Sequence, residues 1–178
     1  APLPPLAAPR APVWTDEQLY TTGMFHGPLF RGVARLLAWD DTGLDAELAD
    51  LPLDGFFADR PSADPGADPR PDGLLINPAL LDQMGHVTAF WIAQGLGTDF
   101  SSFPSSIDRI DLPAAQDAIG AGPAARTEAA AGAVLSGRIG FVDAAGTRQD
   151  GPENATFLDS AFDCIAPDGT LLMRARGW

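Results

Sequence analysis

The sequence predicts an α+β domain in which one antiparallel sheet wraps around a single long helix. Only residues 77–95 have the length and capping signals of a long helix, and this segment is apolar almost all the way round, as a buried helix is. The other apolar runs are short, are separated by turns and are typical of strands. A doubly wound parallel sheet is disfavoured, because only this one helix is long enough to be a crossover.

The size and composition indicate one globular domain. The chain has 178 residues, of which 46% are hydrophobic and 20% are charged. Residues 1–14 are rich in proline and favour extended structure, so we expect a linker there and a single domain over residues 15–178. An arm that lies on the domain surface is the alternative for the proline-rich segment.

The first elements follow from local signals. Thr15 and Gln18 fit a capping box, which predicts a short helix after them. Residues 30–39 and 44–51 are apolar runs on either side of a turn and predict a hairpin. Residues 58–73 are dense in Pro, Asp and Gly, so we expect a long exposed loop.

In the long helix, Asn77 is the expected N-cap, Pro78 fits the first helical position, and Gly95 is a natural stop. A further loop or partly helical connection is expected over residues 113–126. Pro167–Gly169 is a turn signal between the last two strands. The later strands are expected within residues 104–112, 131–143, 156–166 and 170–178. About five to seven strands around one helix form the arrangement called a hotdog fold.

The charge excludes several classes of partner. All 11 basic residues are arginine, and 24 acidic residues give a net charge of −13. Nucleic acid and anionic membrane surfaces are therefore not expected partners. No apolar run approaches a membrane span, and we expect a cytoplasmic protein.

Cysteine and histidine are scarce. The one cysteine, Cys164, excludes an intrachain disulfide and lies in an apolar run that predicts a core position. The two histidines, His26 and His86, argue against a dedicated multi-histidine metal site, so no metal is expected.

Asp82 and His86 are the first candidates for chemistry. A spacing of four places them on one face of the helix, one turn apart. Burial would raise the pKa of the Asp82 carboxyl and make it a proton donor near neutral pH. A purely structural Asp–His pair, or an Asp that accepts from backbone N–H groups, is the alternative. Gly85 between them suggests close approach of a strand or a ligand.

A second candidate site precedes the first predicted strand. His26, Gly27, Pro28 and Phe30 surround a Gly-Pro step that forces a fixed bend. Gly27 would let a ligand approach the backbone, so we predict that these four residues bind substrate. For His26 taken alone, a structural role is the more common one.

Three segments together resemble the second half of a polyketide synthase dehydratase domain. Residues 24–33 (MFHGPLFRGV) resemble the segment that opens the family's second hotdog, and residues 74–92 (LLINPALLDQMGHVTAFWI) resemble its helix motif. Residues 103–112 resemble the strand that follows. Many members have Tyr where this chain has His26. With this histidine, Asn77 and the Phe90-Trp91 ending of the helix motif, the chain looks most similar to iterative synthases of the enediyne and polyunsaturated fatty acid type.

The resemblance implies removal of water from a 3-hydroxyacyl thioester, carried on the phosphopantetheine arm of an acyl carrier protein in a polyketide or fatty acid megasynthase. No other cofactor is implied. In that family a histidine of the first hotdog takes the α-proton, and the aspartate equivalent to Asp82 protonates the departing hydroxyl. The residue equivalent to His86 positions that aspartate or a water.

Neither histidine here lies in the family's His-x-x-x-Gly-x-x-x-x-Pro motif. We therefore expect the base to come from a missing N-terminal hotdog half or from another hotdog chain. The isolated chain is then expected to lack normal activity.

Two other interpretations stay open. The chain could be a non-catalytic hotdog that serves as a structural or docking domain. It could instead be a stand-alone hydratase or thioesterase in which Asp82 and His86 are both catalytic in a homodimer. A missing first half also predicts an exposed apolar surface, which two copies would cover by symmetric pairing. Because carrier proteins are acidic, a free carrier is expected to bind weakly.

Overall fold

The computed structural model describes residues 1–22, 24, 26–50, 77–95, 104–112 and 131–178. Two α-helices, α1 (Asp16–Thr22) and α2 (Pro78–Gly95), and seven strands are found in these ranges. The strands are β1 (Val33–Asp40), β2 (Gly43–Leu48), β3 (Arg109–Asp111), β4 (Val134–Val142), β5 (Arg148–Gln149), β6 (Phe157–Ile165) and β7 (Leu171–Arg176).

The described strands form one antiparallel sheet in the order β1-β2-β4-β6-β7-β3, and β5 pairs with β4 beside this path. The predicted turn between β1 and β2 is confirmed, since Asp40 pairs with Gly43. The turn between β6 and β7 is also confirmed, with Gly169 at a φ of 89°. The strand predicted over residues 104–112 is much shorter, with three residues paired to β7.

Helix α2 begins and ends as its capping signals predict. Asn77 Oδ1 accepts a hydrogen bond from the N–H of Ala79 at 2.8 Å, and the helix ends at Gly95. The helix packs against β1, β2 and β4. Gly137 of β4 makes this close packing feasible, because a Cβ there would lie 2.9 Å from Val87 of the helix. The expected hotdog architecture is therefore confirmed.

The proline-rich segment lies across the sheet, which matches the second of its two interpretations. The N–H of Leu3 donates to Asp163 of β6, and the N–H of Ala8 donates to Asp40 of β1. Arg10 forms a backbone bridge with Trp39. Because Asp163 alternates with the core residues on either side of it, this contact is on the sheet face opposite α2.

Two expected loops, residues 58–73 and 113–126, lie outside the described residues. In the part of the chain that the structure describes, no helix is long and apolar enough to cross a membrane.

Candidate active site

Asp82 and His86 lie on adjacent turns of α2, as their spacing predicts. The imidazole is buried, with 1% of its side chain exposed, whereas 33% of the Asp82 side chain is exposed. Asp82 Oδ2 lies 3.1 Å from His86 Nε2, but the two atoms lack the alignment of a hydrogen bond, and neither forms a hydrogen bond with another described residue. The expected buried carboxyl is therefore half-buried, with one oxygen held beside an imidazole.

His26 reaches the same point from the segment that precedes β1. Its Nε2 atom lies 3.7 Å from Asp82 Oδ2, and its ring centroid is 4.2 Å from that of His86. The fold thus brings together the only two histidines of the chain and one carboxylate. The small number of histidines argued against a multi-histidine metal site, but the sequence did not show that the two histidines lie next to each other.

A buried hydrogen-bond network lies behind His86. The hydroxyl of Tyr20, on α1, is 2.9 Å from His86 Nδ1 and accepts a hydrogen bond from the N–H of Val33 at 3.0 Å. Gln83 Oε1 lies 3.5 Å from the same hydroxyl and accepts from the N–H of Gly32. The network therefore ties the helix that holds the candidate acid to the start of β1.

The orientation of the Gln83 amide is fixed. Its Nε2 donates to the carbonyls of Phe30 and Ala79, both at 2.9 Å, so Oε1 must face Tyr20. Tyr20 can then donate its proton to His86 Nδ1, or accept a proton from that atom while it donates to Gln83. The network consequently accommodates either tautomer of His86, and also its protonated form.

A cleft of about 440 Å³ opens beside Asp82. Phe30, Leu81 and Trp178 give it a largely apolar wall, together with residues 104–107. Trp178 also explains Gly85, because a Cβ at position 85 would lie 3.2 Å from the indole ring. The expected close approach at Gly85 is therefore that of an aromatic side chain at the cleft.

Electrostatics favour a neutral His26. Burial lowers the pKa of its imidazole, and the nearby His86 lowers it further, while the Asp82 carboxylate opposes both effects. A neutral imidazole can accept a proton or bind a cation through its unprotonated ring nitrogen.

Of the four residues predicted to bind substrate, two lie at the cleft or beside Asp82, and two do not. Phe30 lines the cleft, and His26 lies beside Asp82. Gly27 and Pro28 are not among the described residues that line the cleft. They begin the 3₁₀ turn Pro28–Phe30 that places Phe30, and the space beside the Gly27 Cα is open, with no atom within 4 Å of a Cβ placed there.

Tyr20 and Gln83 support the candidate site but were not predicted as site residues from the sequence. Tyr20 is the only tyrosine in the chain, which was a weak signal. Gln83 directly follows Asp82 in a largely apolar helix, and this position was a signal for a buried polar contact.

Residues 2–152 match the family described as "Polyketide synthase dehydratase N-terminal domain". This chain belongs to the polyketide synthase dehydratase family. The description names an N-terminal domain, and the assignment of this chain to the second half of a dehydratase stays a prediction. The enediyne and polyunsaturated fatty acid subtype also stays a prediction.

Two solved structures resemble this dehydratase chain. One is titled "Pyran synthase domain from module nine of the sorangicin pathway", with 18% identity, a TM-score of 0.52, and coverage of 96% of this chain and 49% of that one. The other is titled "Insights into Substrate Modification by Dehydratases from Type I Polyketide Synthases", with 17% identity, a TM-score of 0.55, and coverage of 99% and 52%. At this identity the likeness shows the fold alone. The chain spans about half the length of these structures. No curated protein matches the sequence.

Proposed function

We propose that this chain contributes the acid half of a site that dehydrates 3-hydroxyacyl thioesters, carried on an acyl carrier protein, to 2-enoyl thioesters. The observation that carries the proposal is the position of Asp82, whose carboxyl lies in the wall of a largely apolar cleft and beside a buried imidazole. Membership of the polyketide synthase dehydratase family supports the reaction class.

The cleft suits the substrate class. A β-hydroxyacyl chain is apolar except at the thioester and the hydroxyl, and Phe30, Leu81 and Trp178 supply apolar contacts around the Asp82 carboxyl. A phosphopantetheine arm delivers such a chain from outside, so the chain itself needs no other cofactor.

The reaction requires one proton to be removed and another to be supplied. A base takes the proton at the α-carbon, the electron pair of that C–H bond forms the double bond, and the β C–O bond breaks. Asp82 donates its proton to the departing hydroxyl, which leaves as water. His86 acts as a positioning residue, because its ring is fixed by Tyr20 and its Nε2 faces Oδ2 of the carboxyl.

The base is proposed to come from a histidine of the other hotdog half, or from a second hotdog chain. The family pattern supplies this role, and neither histidine of this chain lies in that pattern. The chain alone is then expected to show no normal turnover.

The test replaces Asp82 by Asn in the complete dehydratase, with both hotdog halves present. A 3-hydroxyacyl carrier protein is the substrate, and loss of water is followed by mass spectrometry. Removal of the acid should lower kcat by about 10²- to 10⁴-fold. Asp168→Asn is the matched control, since Asp168 is exposed in the turn between β6 and β7 and should leave kcat unchanged.

Unchanged turnover in Asp82→Asn would reject the catalytic role and favour the interpretation as a structural or docking domain. Normal turnover by the isolated wild-type chain would instead reject the requirement for an external base.

A further inference from the structure

Three potential metal ligands converge at Asp82, which also lines the cleft. His26 Nε2 and Asp82 Oδ2 are 3.7 Å apart, Asp82 Oδ2 and His86 Nε2 are 3.1 Å apart, and one ligand atom from each of the three residues lies within 4.8 Å of the others. In a tetrahedral site with metal–ligand bonds of 2.0–2.1 Å, neighbouring ligand atoms are separated by about 3.4 Å. Two of the separations therefore lie within about 0.3 Å of a tetrahedral edge without any rearrangement.

Two of these three atoms form no hydrogen bond with a described residue, although buried polar atoms normally form one. Asp82 Oδ2 and His86 Nε2 are buried, face each other, and form no hydrogen bond among the described residues. A carboxylate oxygen and an unprotonated imidazole nitrogen repel each other at 3.1 Å. A positive charge between them, either a proton or a metal ion, removes that repulsion.

The surrounding network can hold His86 in the form that a metal requires. The Tyr20 hydroxyl lies 2.9 Å from Nδ1 and can accept the N–H of that atom, while its own proton goes to Gln83. This leaves Nε2 unprotonated, with Asp82 Oδ2 3.1 Å away. Metal-binding histidines are commonly oriented in this way, by a hydrogen bond from the other ring nitrogen.

We propose that His26, Asp82 and His86 bind a divalent transition-metal ion of the zinc class. Two imidazoles and a carboxylate are a ligand set that such ions accept, with further coordination positions left open. Because Asp82 also lines the cleft, the ion lies next to the substrate space. It would occupy the oxygen that faces both histidines and would compete with the proton of the proposed acid.

The test measures metal binding by the full chain after treatment with a chelator, and it does not depend on dehydratase activity. Zn²⁺ is titrated by calorimetry, and Co²⁺ reports the ligand geometry through its visible absorption. Since both histidines of the chain are in the cluster and the single cysteine is buried, histidine-dependent binding reports on this site alone. One ion per chain is expected, with visible absorption from four- or five-coordinate Co²⁺.

His26→Ala, Asp82→Asn and His86→Ala should each weaken binding by more than tenfold. Tyr20→Phe should weaken it by about 10- to 100-fold through loss of the orienting hydroxyl, and the exposed Asp168→Asn should leave it unchanged. Circular dichroism identifies any variant that fails to fold, and Asp82→Asn is the variant least dependent on core packing, since it keeps the size of a side chain that is 33% exposed. Binding that survives both His26→Ala and Asp82→Asn, or no binding at millimolar Zn²⁺, would overturn the proposal.

Discussion

Removal of one hydroxyl group should destabilise the whole domain. In Tyr20→Phe the ring keeps its edge contact with Phe90, at a centroid distance of 5.5 Å, so packing is preserved. The buried N–H of Val33 loses its acceptor, and His86 Nδ1 loses its partner. The variant therefore separates hydrogen bonding from the packing of the aromatic ring.

The expected loss of stability follows from the two groups that lose a hydrogen-bond partner, the Val33 N–H and His86 Nδ1. A buried polar group without a partner costs about 1–3 kcal/mol. Because the His86 ring can partly adjust, we expect the free energy of unfolding to fall by about 3 kcal/mol in total. For a chain of 178 residues this corresponds to a decrease in Tm of about 6–12 °C.

Urea denaturation followed by circular dichroism measures the effect. Thr21→Val on the same helix is the control, since the Thr21 hydroxyl is exposed and bonds only to carbonyls of its own helix. Its effect should be within about 0.5 kcal/mol. In a double-mutant cycle with His86→Leu, Tyr20→Phe should show a coupling of about 0.5–3 kcal/mol. A Tyr20→Phe variant as stable as the wild type, or a coupling near zero, would refute the network.

Three further predictions concern stability and reactivity. Burial alone would raise the pKa of Asp163, but hydrogen bonds from Arg174, Arg176 and the N–H of Leu3 outweigh it and lower the pKa. The stability that Asp163 contributes is therefore present above the unfolded-state pKa of about 3.9 and is lost as the pH falls through the lower folded-state pKa. Asp163→Asn should remove about 3 kcal/mol at pH 7 and flatten this acid dependence in denaturation curves, and an unchanged curve would contradict it. Asn77→Ala should cost about 1 kcal/mol through loss of the N-cap, seen as a lower denaturation midpoint, and no change would contradict the cap. Burial raises the pKa of the Cys164 thiol to about 12, so a disulfide reagent at pH 8 should react only with unfolded protein, and rapid reaction of the folded chain would contradict this.

Local signals predicted most of the fold. Asn77 and Pro78 mark the start of α2 because capping depends on residues within one turn of each other. The turn at Asp40 is likewise local, since its carboxylate accepts from the N–H and the hydroxyl of Thr42, two residues later. The pairing of Asp82 with His86 follows from helical spacing alone.

The remaining site contacts depend on tertiary packing. Tyr20 and His86 are 66 residues apart, and no periodicity connects a short N-terminal helix to the central one. His26 had a motif of its own, but the sequence did not show that it meets Asp82.

Arg174 and Arg176, on the sheet face opposite α2, also make tertiary contacts that the sequence did not predict. They alternate in β7 with the buried residues Met173 and Ala175, which is typical of side chains on the face opposite the core, and they do lie there. Both, however, bind Asp163, which is 1% exposed and also accepts from the N–H of Leu3 in the proline-rich segment. Alternation predicts the face of a strand but not the segment that covers it.

The location of the candidate site follows from incomplete coverage of α2 by the sheet. In the first half of the helix, the residues that are not fully buried are Pro78, Leu81, Asp82 and Gly85. Their spacing of three, one and three residues defines one stripe on the helix surface. The cleft lies along this stripe, since the first three line it and Trp178 packs over Gly85. A carboxyl at the other positions between Ala79 and His86 would meet the core, where a charge is costly. Asp82 lies where one oxygen can contact His86 while the side chain stays open to the cleft, and a proton donor requires both contacts.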